Sequence, residues 1–172
     1  MSKRVVVTGV GAITPVGLDA NESWASIKNG ELGISNIKSF DASNLQVKIA
    51  AEVKGFDPEL KLGKKDSRRL DRFSQFAVVA AMEAIEQSGI DLENEDTTRF
   101  SSIVGSGVGG IMTLSEQFDV LHEKGPDRIS PFLIPMMLPD MASGNVSMKL
   151  GARGINYSPV TACATGTDAI GQ

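Results

Sequence analysis

Apolar side chains recur every three or four residues between positions 72 and 88, which predicts a long amphipathic helix. Asp71 is suited to cap its start, and Gly89 follows its end, where a left-handed residue is favoured. Alanines at 77, 80, 81 and 84 lie on the apolar face. Such small side chains predict that this helix packs closely against another backbone.

Three further helices are predicted from similar patterns. One covers residues 22–28, with Asn21 as its cap and Gly30 beyond its end. Another follows Gly110, with Leu114, Phe118 and Leu121 on its apolar side, and ends at Gly125-Pro126. A third covers residues 141–150, between Asp140 and Gly151, and residues 126–139 are predicted to be irregular.

Runs of β-branched or alternating apolar residues predict four strands. Residues 4–13 are expected to form a buried strand and residues 47–53 an edge strand; the other two cover residues 100–104 and 155–162. Because these strands alternate with helices, the pattern predicts an α/β fold with a mainly parallel sheet covered on both faces.

Composition narrows the function classes. The 172 residues suit one domain, and their net charge of −4 gives no basis for nucleic-acid binding. No run approaches the roughly 20 apolar residues of a membrane span. The single cysteine, Cys163, has no partner for an intramolecular disulfide, which favours a reducing, cytoplasmic location. No metal-ligand spacing is recognisable.

Cys163 is the candidate nucleophile. It follows a predicted strand and precedes Ala-Thr-Gly-Thr, which is expected to open a helix. The unpaired N–H groups at a helix start favour a thiolate and can bind an oxyanion formed on an attacked carbonyl. A buried structural cysteine is the alternative.

The segment VTACATG around Cys163 resembles the nucleophile motif of β-ketoacyl-(acyl-carrier-protein) synthases of the elongating KAS II type. VVVTGVGAITPVG, GSGVGG and ISPFLIP are similar to other segments of that family, in the same order. The resemblance covers essentially residues 1–172. It implies a thiolase-like fold, layered α-β-α-β-α in the complete enzyme, of which this chain is about the N-terminal half and ends just after the nucleophile motif.

The resemblance also implies a two-step reaction on Cys163. An acyl group passes from an acyl carrier protein to the thiol, and decarboxylated malonyl-carrier protein then attacks the thioester. The family's two histidines and lysine for the second step lie in its C-terminal half, and His122 matches neither histidine. The family forms homodimers. The phosphopantetheine on the carrier protein is the only prosthetic group implied.

The glycine-rich segment 105–110 has two interpretations. Its Gly-x-Gly-x-x-Gly spacing fits a dinucleotide fingerprint, but no strand ending in an acidic residue follows about 20 positions later. The resemblance instead implies an acyl pocket lined by Gly107, Val108, Phe132 and Ile134. A turn that only requires glycine conformations remains a third possibility.

A basic cluster interrupts this acidic chain: Lys61, Lys64, Lys65, Arg68, Arg69 and Arg72. Spacing of four places Lys64, Arg68 and Arg72 on one side of a helix. The resemblance implies that Lys64, Lys65, Arg68, Arg69 and Arg128 dock the acidic carrier protein. An ordinary solvated face is the alternative.

The leading hypothesis is therefore a condensing enzyme of fatty-acid elongation. A polyketide-type ketosynthase, a dinucleotide-binding module and a non-catalytic fragment are the alternatives. We expect the 172 residues alone to be poorly soluble and inactive, because apolar surface that the family covers with its other half would be exposed.

Overall fold

The computed structural model describes residues 4–172, and their regular structure is mostly helical. The helices are α1 (Ala20–Lys28), α2 (Pro58–Leu62), α3 (Lys64–Ser67), α4 (Arg72–Ser88), α5 (Ile111–Lys124), α6 (Leu133–Met137), α7 (Met141–Leu150) and α8 (Thr165–Gly171). The strands are β1 (Ser35–Asn36), β2 (Ile49–Ala50), β3 (Ser102–Ile103) and β4 (Asn156–Tyr157). Short 3-10 turns cover Thr97–Arg99, Pro126–Arg128 and Ala162–Ala164.

Helix α4 has the predicted bounds and both predicted ends. The Asp71 side chain accepts a hydrogen bond from the backbone N–H of Phe73, and Gly89 adopts a left-handed φ of 68°. Helix α7 also has its predicted bounds, although Asp140 makes no side-chain capping hydrogen bond. Helix α1 begins earlier than predicted, because Asp19 rather than Asn21 is its cap.

The core lies mainly where α4 packs against α7. Its buried members are Phe56, Leu62, Val78, Val79 and Val146. A pair of buried serines then ties α7 to β3. Ser143, fully buried, donates to the Ser102 carbonyl at 2.6 Å, and the Ser102 hydroxyl donates back to the Ser143 carbonyl at 2.9 Å.

The strands are much shorter than predicted. Strands β1 and β2 pair antiparallel, with Ser35 opposite Ala50. Strands β3 and β4 pair in parallel, with Ser102 opposite Asn156. Within residues 4–172 the strands form two separate sheets of two strands each. The predicted parallel sheet covered on both faces is therefore not formed by this part of the chain. The parallel pairing of β3 with β4 agrees with the predicted strand direction.

The prediction of a buried strand over residues 4–13 is wrong. This segment has no regular structure, and Val5 and Val7 are 92% and 82% exposed. Its backbone lies on α4 instead: the Ala12 N–H donates to Glu83 Oε2 at 2.9 Å. Gly9 and Gly11 pack against the Ala84 and Ala80 carbonyls, which confirms that the alanine face of α4 meets another backbone.

Two further predictions need correction. Residues 126–139 are not wholly irregular, since they contain the Pro126–Arg128 turn and α6. The residues of the basic cluster do not lie on one helix as predicted. Gly63, with a φ of 80°, separates α2 from α3, and Arg72 begins α4. Among residues 4–172, every helix is too short or too polar to cross a bilayer.

Candidate active site

Cys163 lies in the Ala162–Ala164 turn, between β4 and α8, and is exposed to solvent. Its exposure in this chain argues against a buried structural cysteine. The predicted strand before it ends at Tyr157, so several residues of irregular chain separate the strand from the thiol. Helix α8 begins two residues after Cys163, and the thiol therefore precedes the helix start, close to the predicted place.

The backbone around Cys163 is held in an uncommon conformation. Ala162 has a φ of 51°, in the left-handed region that residues other than glycine seldom adopt. Hydrogen bonds within the turn support it: the Thr161 N–H donates to Thr165 Oγ1 at 2.9 Å, and the Ala164 N–H donates to the Thr161 carbonyl at 3.1 Å. The turn therefore presents the thiol outward from a fixed backbone.

The glycine-rich segment packs directly beneath this turn. A Cβ added to Gly105 would lie 2.9 Å from the Pro159 carbonyl oxygen and would collide with the methyl group of Thr165. Pro159 and Thr165 are both buried. Glycine at position 105 thus lets the segment 105–110 approach the backbone that carries Cys163.

The start of α5, just after this glycine-rich segment, is already occupied by a carboxylate. Asp71 Oδ2 accepts from the Thr113 N–H at 3.1 Å and from the Thr113 hydroxyl at 2.6 Å. A dinucleotide module requires this helix start to receive a pyrophosphate. The buried carboxylate would repel it, which argues against the dinucleotide-binding interpretation.

The four acyl-pocket candidates have different surroundings among the described residues. Val108 and Ile134 are 63% and 57% exposed, and Gly107 has open space around it. Phe132 borders a cavity of about 460 Å³ that is lined mainly by residues 62–70, α6 and α7, and its walls include Leu70 and Met148. The glycine-rich segment nevertheless contacts α6, because the Gly110 N–H donates to the Met137 carbonyl at 3.0 Å.

The docking candidates Lys64, Lys65, Arg68, Arg69 and Arg128 are all exposed. Arg68 lies 3.8 Å from Glu59 in an exposed ion pair, and the Arg69 guanidinium lies over the Phe132 ring at 5.2 Å from its centroid. Arg72 does not belong to this surface. Its guanidinium lies 4.8 Å from the centroid of Phe76 and donates to the Val53 carbonyl at 2.8 Å.

His122 lies exposed in the last turn of α5, as expected for a surface histidine. Within residues 4–172 no group of three or more His, Cys, Asp or Glu side chains is arranged to hold a metal ion.

Sequence reasoning missed the link between Asp71 and Thr113, and the role of Thr165 in the cysteine turn. Asp71 was expected only to cap α4, and nothing in the spacing of Thr113 indicated a partner 42 residues away. A Thr two residues after a candidate nucleophile was a weak signal, because threonine hydroxyls often bond nearby backbone N–H groups.

Comparison with known proteins identifies the family. Residues 2–172 match the family described as "Beta-ketoacyl synthase, N-terminal domain". The chain belongs to the beta-ketoacyl synthase family. This confirms the resemblance carried by the Cys163 segment and the other three motifs.

Curated relatives with similar sequences include two 3-oxoacyl-[acyl-carrier-protein] synthase 2 proteins. The one from Staphylococcus aureus strain N315 is 45% identical over 171 residues, which is 99% of this chain and 41% of the relative. The one from Synechocystis is 44% identical over 170 residues, again 99% and 41%. The chain therefore spans about two fifths of the length of these relatives.

Solved structures with similar folds include two ketosynthases. A beta-ketoacyl synthase from Burkholderia phymatum matches 99% of this chain and 42% of its own, with a TM-score of 0.77 and 27% identity. A type II polyketide ketosynthase solved with its acyl-carrier protein matches 99% and 45%, with a TM-score of 0.79 and 27% identity. These likenesses confirm the α/β, thiolase-like fold class.

Proposed function

We propose that this chain is the nucleophile-bearing part of a condensing enzyme of fatty-acid elongation, a 3-oxoacyl-(acyl-carrier-protein) synthase of type 2. The observation that carries the proposal is the exposed Cys163, held in a strained turn against the glycine-rich segment. The 45% identity to synthases of that name supports the same assignment.

In the first half-reaction, the Cys163 sulfur attacks the thioester carbonyl of an acyl group carried on phosphopantetheine. A new sulfur–acyl bond forms, the old one breaks, and the proton of the cysteine thiol passes to the departing pantetheine thiol. In the second, malonyl-carrier protein loses CO₂, and its carbanion attacks the Cys163 thioester. The product is a 3-oxoacyl chain two carbons longer, and the cysteine sulfur is released. The family resemblance assigns the second step's acid–base groups to the C-terminal half.

The acyl chain would extend along the glycine-rich segment, with Gly107 and Val108 on one side and Phe132 and Ile134 from the neighbouring segment on the other. Contact between Gly110 and Met137 supports this arrangement, because it joins the two segments. Gly105 joins the same segment to the cysteine turn. No cofactor is required besides the phosphopantetheine on the partner.

The carrier protein would dock on the exposed cations Lys64, Lys65, Arg68, Arg69 and Arg128. Carrier proteins are acidic, so a local positive patch on an acidic chain would orient them. The similar polyketide ketosynthase was solved in complex with its acyl-carrier protein. Arg69 also contacts Phe132, which brings the docking and acyl-chain residues together.

A homodimer is part of the proposal. Around β4, Ile155, Tyr157 and Val160 are 71%, 45% and 51% exposed, which leaves an apolar strand edge available to a second copy. Light scattering of the full-length protein tests this: we expect a dimer, and a monomer at micromolar concentration would contradict it.

Intact mass spectrometry of the full-length protein tests the nucleophile. After incubation with an acyl-carrier-protein thioester, we expect one acyl group on the wild type and none on Cys163→Ser. A well-folded wild type that gains no acyl group, or a Cys163→Ser variant that gains as much, would refute the proposal.

A polyketide-type ketosynthase is the second candidate, favoured by the fold likeness at 27% identity. The 45% identity to the fatty-acid enzymes argues for the first. The two differ in products: with malonyl-carrier protein and no reductase, a fatty-acid enzyme releases the chain after one condensation, whereas a polyketide enzyme adds several units. Mass analysis of the carrier-bound products distinguishes them.

A further inference from the structure

Asp71 is a buried carboxylate, 6% exposed, that joins the starts of two helices. Its Oδ1 accepts from the Phe73 N–H at 3.2 Å in α4. Its Oδ2 accepts from the N–H and hydroxyl of Thr113 at 3.1 and 2.6 Å in α5. Hydrogen bonds to an ionised acceptor are the stronger kind, and a buried carboxylate is costly to leave unpaired. One side chain therefore fixes α5 relative to α4.

The glycine-rich segment is fitted around this carboxylate. A Cβ on Gly110 would lie 3.0 Å from Asp71 Cγ and 2.9 Å from Met137 Cα, so the chain between Asp71 and α6 has room only for glycine. Gly109, with a φ of 81°, similarly lies within contact of Pro139. Val108 directly precedes Gly109 and Gly110, and its position therefore depends on how the start of α5 is held in place.

The residues just before Asp71 in the chain belong to the segment that contains the docking candidates. The Gln75 side chain in α4 donates to the Ser67 carbonyl at 2.8 Å and to the Leu70 carbonyl at 3.0 Å. Residues 67–70 are thereby tied to the first turn of α4. Asp71 thus lies between the segment proposed to dock the carrier protein and the segment proposed to hold the acyl chain.

We propose that Asp71, acting through Thr113, is a positioning residue that sets acyl chain-length selectivity. This inference rests on the proposed function. While Asp71 holds the start of α5, Val108 and Gly107 form a wall at a fixed place. When the hydroxyl bond is lost, the start of α5 and the wall before it can shift, and acyl chains of different length are then discriminated less.

The test uses the full-length protein and three substitutions at position 113. Thr113→Val keeps the shape of the side chain but removes the hydroxyl, Thr113→Ser keeps the hydroxyl, and Thr113→Ala removes it without steric strain. The measurement is the ratio of the Cys163 acylation rates with eight-carbon and sixteen-carbon carrier-bound donors, and each rate is determined by intact mass spectrometry. We expect Thr113→Val and Thr113→Ala to move this ratio toward one by about fivefold, the effect of one hydrogen bond. Thr113→Ser should retain the wild-type ratio.

Ser23→Ala is the matched control for lost stability. Ser23 is 3% exposed in α1, and its hydroxyl lies 2.9 Å from the Thr14 hydroxyl, away from the segments in question. It should lower the melting temperature and leave the ratio unchanged. An unchanged ratio in the valine and alanine variants, or an equal change in Ser23→Ala, overturns the inference. A wild-type protein that is never acylated overturns the proposed function instead.

Discussion

Replacing Gly11 with alanine should destabilise the protein by forcing the N-terminal segment away from α4. The added Cβ would lie 2.8 Å from the Ala80 carbonyl carbon and 3.1 Å from the Ala84 nitrogen, and would overlap the Ala80 carbonyl oxygen. Favourable carbon contacts begin near 3.5 Å. All three atoms belong to the backbone of α4, which cannot rotate away as a side chain can, so the segment itself must move.

The expected loss has two parts. Overpacking of this kind costs about 1–3 kcal/mol. The displaced segment would also weaken its hydrogen bonds from Ala12 N–H to Glu83 at 2.9 Å and from Val10 N–H to Gln87 at 2.6 Å. With about 1 kcal/mol for these together, the free energy of unfolding should fall by about 2–4 kcal/mol. Typical total stability is about 5–15 kcal/mol, so the effect is measurable.

Chemical denaturation of the full-length protein measures this loss, with Gly144→Ala as the matched control. Gly144 lies inside α7, and a methyl group added there would meet no atom of the described chain within 4 Å beyond the backbone of its own helix. Alanine is favoured over glycine in a helix by about 0.5–1 kcal/mol. The two variants should therefore shift the midpoint in opposite directions. A Gly11→Ala midpoint at or above that of the wild type would refute the packing of this segment on α4.

Three further predictions address the docking surface, pH and the isolated chain. Arg72→Ala should lower the free energy of unfolding by about 1–3 kcal/mol, because it removes the aromatic and carbonyl contacts of Arg72, and it should not weaken carrier-protein binding. Lys64→Ala should weaken carrier-protein binding alone. Chemical denaturation measures the change in stability, and calorimetric titration measures the change in binding. The Ser39 hydroxyl, then the Ser39 and Lys38 N–H groups, lower the pKa of Glu52, so its stabilising contribution is complete above the ordinary glutamate pKa and is lost as the pH falls through the lower folded value. The protection factor of the Ser39 amide, which compares its exchange rate with the intrinsic rate at the same pH, should then fall in acid. Glu52→Gln should show no such pH step. The 172-residue chain by itself should self-associate, and a monomer with a cooperative melt in sedimentation and heating would contradict this.

The physical basis for the last of these predictions is the apolar surface that this chain leaves uncovered. Val5, Val7, Ile155 and Ile170 are 92%, 82%, 71% and 90% exposed. Each large apolar side chain left in water forgoes about 1.5–3 kcal/mol. Four such residues approach the whole stability of an ordinary domain, which is about 5–15 kcal/mol.

Helices were predictable because their signals are local. Asp71 and Gly89 bound α4 as expected, and Gly125 and Gly151 end α5 and α7. Caps and apolar spacing act within a few residues of each other, so the sequence contains them directly. Asn21 failed as a cap because Asp19, two residues earlier, offers its carboxylate to the same first turn.

Strands were less predictable because pairing depends on distant partners. Residues 4–13 have a strand-like composition, but within this chain their N–H groups meet the side chains of Glu83 and Gln87 rather than a neighbouring strand. Residues 155–162 pair only at Asn156 and Tyr157, opposite β3. β-propensity describes which residues suit a pleated sheet, but a strand also needs a partner strand, and propensity does not show where that partner is.

The candidate site shows the same division. The Cys163 motif and the glycine-rich segment were visible in the sequence, but their contact through Gly105 and Thr165 was not. The basic cluster was visible as well. Its single-helix geometry was wrong, because Gly63 interrupts the helix and aromatic rings hold Arg72.

The site combines rigid backbone contacts with exposed side chains, and this combination has a consequence for specificity. Gly105 and Gly110 fix the glycine-rich segment by backbone approach to Pro159 and Met137, where any larger residue would collide. Val108 and Ile134, by contrast, are more than half exposed in this chain, so their size is not set by its core. Changes at these two side chains would therefore alter the proposed acyl pocket without disturbing the scaffold, whereas changes at the two glycines would disturb both. Under the proposed function, chain-length preference can accordingly change while the same nucleophile turn is retained.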